Sequence, residues 1–308
     1  TQHSQSLRWS SPPPMAARRT RAATRRAALV PFLSELSDDE IEAIGYALAD
    51  PLAPRLAVAL SSCSRGLRRA LAAPVKELKE RRQKVKELCA HVRRPGRPCA
   101  CDLLRDAWFL GWNIRGLTAA HMETLGMLLA TNGLPQLQGL NLIGNSMSPG
   151  HVQSLVGGLG RRALPSLTLL NLTSCSIGNA GAAALAAALS RGAMPSLQSL
   201  CLGHNMIFDE SFAALATSLP PLKFLDLSNT MITDKGVASL LANTKLCKSL
   251  EHLHLQYNQV TDAGCAKLVT ALESGTLPAM KAIVVWYNPA SHAAQEAVRD
   301  AVTSLRHR

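Results

Sequence analysis

Six side chains in this 308-residue chain stand in patterns suited to metal binding or proton transfer. Cys89, His91, Cys99 and Cys101 form a C-x-H-x7-C-x-C run around a basic loop that contains Pro and Gly. Thiolate and imidazole are zinc ligands, and a closed structural site takes four of them. The spacing is that of no standard finger or knuckle, so ordinary thiols are expected and no metal is assigned. Asp226 and His254 make the second group, since a carboxylate beside an imidazole can move a proton. No nucleophile, Gly-rich phosphate loop or second carboxylate accompanies them, so the pair points to a hydrogen bond rather than to catalysis. Neither an enzyme nor a cofactor is expected.

What brings Asp226 and His254 together is a recurring block. LPQLQGLNLIGNSMSPGHVQSLVGGL begins at Leu134, LPSLTLLNLTSCSIGNAGAAALAAAL at Leu164 and MPSLQSLCLGHNMIFDESFAALATSL at Met194. Aligned on L-x-x-L-x-L-x-x-N/C-x-L, the polar position falls at Asn145, Cys175, Asn205, Thr230, Asn258 and Asn288, at spacings of 30, 30, 25, 28 and 30 residues. A weaker first copy carries Leu110, Trp112, Arg115, Leu117 and Leu125. The leucines alternate as a short strand requires. The polar side chain satisfies backbone groups where the chain bends away from the sheet. A helix follows each bend: ITDKGVASLL offers Thr233 or Asp234 as cap and Val237, Leu240 and Leu241 as one face, and VTDAGCAKLVTAL repeats the arrangement. A period of this size means a stack of strand-plus-helix units.

These blocks resemble leucine-rich repeats of the long, ribonuclease-inhibitor-like type over roughly residues 107–290. The resemblance implies an α/β solenoid of about six or seven repeats, with a parallel inner sheet and outer helices, and a role in protein binding rather than chemistry. SHAAQEAVRDAVTSL, with Ala294, Val298, Val302 and Leu305 on one stripe, is expected to close the last coil.

Within that register the residues left facing outward name the candidate contact surface. The position between the second and third leucines reads Gly111, Asn141, Asn171, Cys201, Asp226, His254 and Val284; two residues earlier come Phe109, Gly139, Leu169, Ser199, Phe224, His252 and Ala282. Aromatic and imidazole groups gather in the C-terminal copies, and Tyr and Trp are common interface anchors. A protein partner is therefore expected on the concave face, at Phe224, Asp226, His252, His254, Tyr257, Trp286 and Tyr287.

The formal charge of +12 lies elsewhere. Residues 1–30 contain six Arg and no acid, residues 31–64 one base and six acids, residues 65–97 twelve bases and three acids, and residues 98–308 fourteen bases and twelve acids. A nearly neutral repeat array is a poor holder of phosphate. Residues 1–30 are a disordered basic tail or a targeting segment, and MAARRTRAATRRAALV from Met15 has the Arg-rich, acid-free character of an organelle transit peptide. Residues 31–98 form a helical module. With its acidic first helix, the D-P-L turn at Asp50 to Leu52 and a third helix opening at Ser62, it resembles an F-box; otherwise it is a cap for the first repeat. The F-box resemblance implies a Skp1-like partner for residues 31–72 and ubiquitin-ligase substrate adaptation. The basic stretch 65–97 offers a second role, a structural accessory subunit docking on an acidic or RNA-containing assembly. VKELKERRQKVKELCAHV (75–92) reads as one helix whose Val75, Leu78, Val85 and Leu88 lie on the domain's own end. The repeat domain with its closing helix spans 99–308. The scattered cysteines suit a reducing intracellular compartment, and no stretch is long enough for a membrane span.

Overall fold

The computed structural model describes residues 36–48, 50–51, 54–92, 104–131, 134–145 and 149–305. The basic tail, Leu52, Cys99 and Cys101 lie outside the described residues. The chain divides into two compact units, Thr1–Glu80 and Arg81–Arg308.

The first unit holds α1 (Asp38–Ala47), α2 (Arg55–Ser61), α3 (Arg65–Ala70) and the start of α4 (Ala72–Val92), within which the boundary falls. Ser37 opens α1 with a reciprocal capping box to Glu40, so two otherwise orphaned amides find acceptors. The third helix opens at Ser64, whose hydroxyl accepts from the Leu67 amide, and not at Ser62, which closes α2. Ile41, Leu67, Ala70 and Leu71 form the core, flanked by Leu36, Ile44, Leu60, Cys63 and Val75. Leu78 of α4 packs with Ala57 and Leu48. Further along α4, Val85, Leu88, Cys89 and Val92 are buried, so its apolar stripe is covered within the chain itself.

The second unit is the solenoid. Its strands are β1 (Phe109–Gly111), β2 (Gly139–Asn141), β3 (Leu169–Asn171), β4 (Ser199–Cys201), β5 (Phe224–Asp226), β6 (His252–His254) and β7 (Ala282–Val284), paired in chain order in one parallel sheet. The register sets Gly111, Asn141, Asn171, Cys201, Asp226, His254 and Val284 side by side, as the leucine alignment requires. Each strand except β7 buries its middle leucine completely or nearly so, and the next inward residue (Trp112, Leu142, Leu172, Leu202, Leu227, Leu255, Val285) is buried too. Each fully buried leucine contributes about 2 kcal/mol of hydrophobic transfer.

Outside the sheet run α5 (Ala119–Ala130), α6 (Pro149–Val156), α7 (Gly178–Ser190), α8 (Asp209–Ser218), α9 (Asp234–Leu241), α10 (Thr244–Ser249) and α11 (Asp262–Glu273). Thr233 and Thr261, not the following aspartates, cap α9 and α11. The terminal α12 (His292–Leu305) buries Val298 and Val302 at the end of the stack, the arrangement expected of a closing helix.

A ladder of polar side chains joins the coils. Asn258 Oδ1 accepts from the Thr230 and Ile232 amides of the preceding repeat, while Nδ2 donates to the Leu227 and Leu255 carbonyls. Asn145 and Asn205 repeat this four-way bridge. Cys175 keeps one bond across to the preceding repeat, from Sγ to the Leu142 carbonyl, and the Thr230 hydroxyl reaches Leu227 in its own repeat and Asn258 Oδ1 in the following one, but not the preceding repeat. In both exceptions the next residue takes a left-handed conformation, Ser176 at φ 53° and Met231 at φ 62°.

Candidate functional site

The seven expected contact residues fall into two clusters and one turn. On the sheet, the Phe224 ring meets His254 edge-on with centroids 5.0 Å apart and lies 6.2 Å from the His252 ring. Past the strand ends, Tyr257 and Tyr287 stack in parallel, 4.4 Å between centroids with 5° between planes, and Trp286 stands exposed beside them in sequence. The Tyr257 hydroxyl is held above the ordinary tyrosine range, first by burial and then by its neighbour Tyr287.

Asp226 does something other than pair with His254. Its Oδ1 accepts from the Ser228 amide at 2.9 Å, as Asn141 accepts from Ile143 and Asn171 from Thr173. Three strands thus end in the same side-chain turn, a habit of Asn and Asp. Asp226 and His254 share no hydrogen bond or ion pair. The expected pair fails because the backbone amide two residues on competes for the carboxylate and wins by proximity.

The tyrosines occupy a special backbone position. Immediately before the ladder residue, the chain turns left-handed in every repeat: Ile114 (φ 49°), Gly144 (70°), Ser174 (55°), His204 (56°), Asn229 (51°), Tyr257 (59°) and Tyr287 (58°). A backbone ladder accompanies the first six, whose amides donate to the next coil, Tyr257 to Trp286 and Asn229 to Gln256 among them; Tyr287 belongs to the last coil. Left-handed backbone costs an L-residue with a Cβ about 1–2 kcal/mol, so folding favours Gly or Asn here. Only Gly144 and Asn229 comply. Tyr287 is nevertheless 71 % exposed and Ile114 78 % exposed, so core burial does not explain them. An exposed bulky side chain in this conformation gains nothing from core packing to offset the strain.

Leucine register alone misses other exposed apolar groups. Trp108 is 67 % exposed next to Phe109, whose ring covers Gly139 in the space a Cβ would fill. Aromatic exposure therefore occurs at both ends of the sheet. Met206, Phe208 and Met231 are exposed on the segments that lead from strand to helix. The signal for the methionines was present, since Met206 and Met231 each directly follow a ladder residue.

Of the cysteine group, Cys89 and His91 are described. Cys89 is buried, and His91 bonds through Nε2 to the Arg115 carbonyl with its ring against His121, 4.2 Å between centroids. The remaining two members, Cys99 and Cys101, lie outside the described residues, and among those described no three His, Cys, Asp or Glu side chains converge on a cation position. Cys201, on the concave face, has its thiol pushed up to about 11 by burial and then by Asp226. No described helix is long and apolar enough to cross a membrane.

The family model for the leucine-rich repeat matches residues 163–186, 218–241 and 246–269. Among solved structures, the chain is similar to the tropomodulin C-terminal domain of Caenorhabditis elegans at 16 % identity, covering 61 % of this chain and 94 % of that one, with a TM-score of 0.39. A protein of Bacteroides fragilis is similar at 14 % identity, 71 % and 70 % coverage and a TM-score of 0.41. A leucine-rich repeat protein of Leptospira interrogans is similar at 18 % identity, 59 % and 61 % coverage and a TM-score of 0.30. No curated protein matches the chain.

Proposed function

The chain is a leucine-rich repeat protein, and on that premise we propose that it is a non-enzymatic protein-binding module whose contact surface centres on Phe224, Asp226, His252, His254, Tyr257, Trp286 and Tyr287. One observation carries the reading: two stacked, exposed tyrosines are kept at left-handed positions that folding alone gives to Gly or Asn. Rigid aromatic side chains bury large area at low entropic cost, which is what an interface anchor needs. Asp226 serves the surface by fixing the turn beside it. The test is affinity capture on the immobilised full chain, comparing wild type, the double variant Tyr257→Ala with Trp286→Ala, and Lys248→Ala as a control. Partners held by wild type and the control should be lost from the double variant while its melting temperature is kept. Unchanged capture by the double variant refutes the surface.

The helices of the first unit support a finer role, that of an F-box-like dock for a Skp1-like adaptor. Leu56 and Val58 of α2 are 56 % and 46 % exposed although a purely structural helix gains nothing by displaying them. Binding of purified Skp1 to the full chain, lost on Leu56→Asp with Val58→Asp, is the expected result. Absence of binding to the wild-type chain removes the adaptor role. It leaves the alternative of an acidic partner held by the exposed Arg65, Arg68, Arg69, Lys76 and Lys79, an association that should weaken steeply with salt.

A further inference from the structure

Among the described residues of the repeat unit, seven of the nine exposed large apolar side chains lie on one edge of the stack, where strands lead into helices: Ile114, Met206, Phe208, Met231, Tyr257, Trp286 and Tyr287. Six of them belong to the last four repeats. Neighbouring coils repeat at about 4.8 Å, so these six form a row about 14 Å long. The same edge has its own charge. Its connections and first helical turns in those repeats hold Asp209, Glu210, Asp234 and Asp262 against Lys235, with Lys267 reaching back to the Asp234 carbonyl. The chain as a whole is at +12, and this edge is locally acidic.

We propose that this edge receives a basic amphipathic helix of a partner protein, about three turns long. The inference rests on the binding function above and names the class of partner. A helix is favoured over an extended strand because the edge has little backbone left to pair: the Tyr257 amide already donates to Trp286, Asn229 to Gln256 and His204 to Ser228. A helix satisfies its own backbone and needs only side-chain contact. Its turns repeat at about 5.4 Å, close to the spacing of the coils, so residues at i, i+3, i+4 and i+7 meet successive repeats. Methionines adapt to such a face because their side chains are unbranched and polarisable. Lysines or arginines beside the apolar stripe would face Glu210 and Asp262, both exposed.

The probe is a labelled peptide of about 18 residues, five helical turns, with Leu on one stripe and Lys elsewhere, compared with the same stripe carrying Glu. Fluorescence anisotropy with the full chain should give a dissociation constant about tenfold or more lower for the Lys peptide. Met206→Ser with Met231→Ser should weaken it about tenfold, and Glu210→Lys, which touches no apolar contact, should weaken it independently. Lys248→Ala, on the opposite edge of the stack, should change it less than about twofold. Equal binding of the two peptides, no binding of either, or indifference to the edge variants overturns the proposal. If native partners are still lost from the Tyr257→Ala, Trp286→Ala variant in that case, the binding function stands and only this edge assignment falls. A dimer of the full chain in sedimentation that the methionine variant abolishes assigns the edge to a second copy, and likewise overturns it.

Discussion

The two edges of the repeat stack are made by the same coils, yet they use their side chains differently. On the helix-to-strand edge, Arg161, Arg162, Arg191, Lys223, Lys245, Lys248 and Lys281 outnumber Glu251 and Glu273. Cations belong there, because helix C-termini carry partial negative charge. Arg191 shows the use, donating to the Val156, Gly157 and Leu159 carbonyls at the end of the preceding helix. Left-handed residues on that edge are Gly192, Gly275 and Arg162, mostly the residue that conformation prefers. The strand-to-helix edge keeps Ile, His and two Tyr in the same conformation and exposes them. One edge follows the rules of folding, and the other departs from them repeatedly at its surface. Departures of that kind single out the proposed contact edge more sharply than exposure does.

The strand-to-helix edge is also where the coils are locked, so the largest effect should come from its buried ladder. Asn258→Ala leaves the Thr230 and Ile232 amides without their acceptor and should cost about 3–5 kcal/mol in urea unfolding. A loss below about 1 kcal/mol would mean that water replaces the ladder and the contrast between the edges is shallow. Gly264→Ala comes next. Its Cβ would strike the Asp234 carboxylate and Val260, a clash of about 2 kcal/mol that exceeds the helix-propensity gain of alanine. On the opposite edge, Asn243→Ala removes a helix cap and two donations, to Ala216 and Leu219, and should cost about 1–2 kcal/mol, less than Asn258→Ala. The smallest stability change belongs to Tyr257→Gly, within about 1 kcal/mol either way, because relief of left-handed strain offsets the lost stack. Partner capture by that variant should still fall. A large drop in its melting temperature would show that the tyrosine serves the fold.

Much of this was legible in the leucines. Their period gives seven strands in register, and strand alternation separates Phe224 and His252 from the core without further information. Short-range polar competition was less legible. Thr233 and Asp234 both suit a cap, and only geometry shows that Thr233 caps while Asp234 bridges to the Thr261 of the next coil. The bridges Asp209 to Thr233, Asp234 to Thr261 and Asp262 to Ser291 join residues 24 to 29 positions apart, beyond the reach of any local pattern. The fate of Asp226 was hidden for the opposite reason: its partner is two residues away, while the strand pattern points to the neighbouring coil. Left-handed backbone was invisible because the residues that normally advertise it, Gly and Asn, occupy two of seven positions.

The uneven ladder implies a seam. Between the fifth, sixth and seventh coils both an asparagine and an aspartate rung are present, and between the fourth and fifth the Asp209 rung stands where Thr230 makes none. Between the second and third coils, Cys175 supplies one thiol bond, and among the described residues no aspartate rung accompanies it. In an array whose units couple only to their neighbours, cooperativity is limited by the loosest joint. Slow breathing should therefore begin there, with the first two coils parting from the rest while the C-terminal coils stay closed. Amide exchange would register this as one early-exchanging block ending near Asn145 and one late block beginning near Cys175, so the proposed contact edge would ride on the stiff end of an array with a soft one.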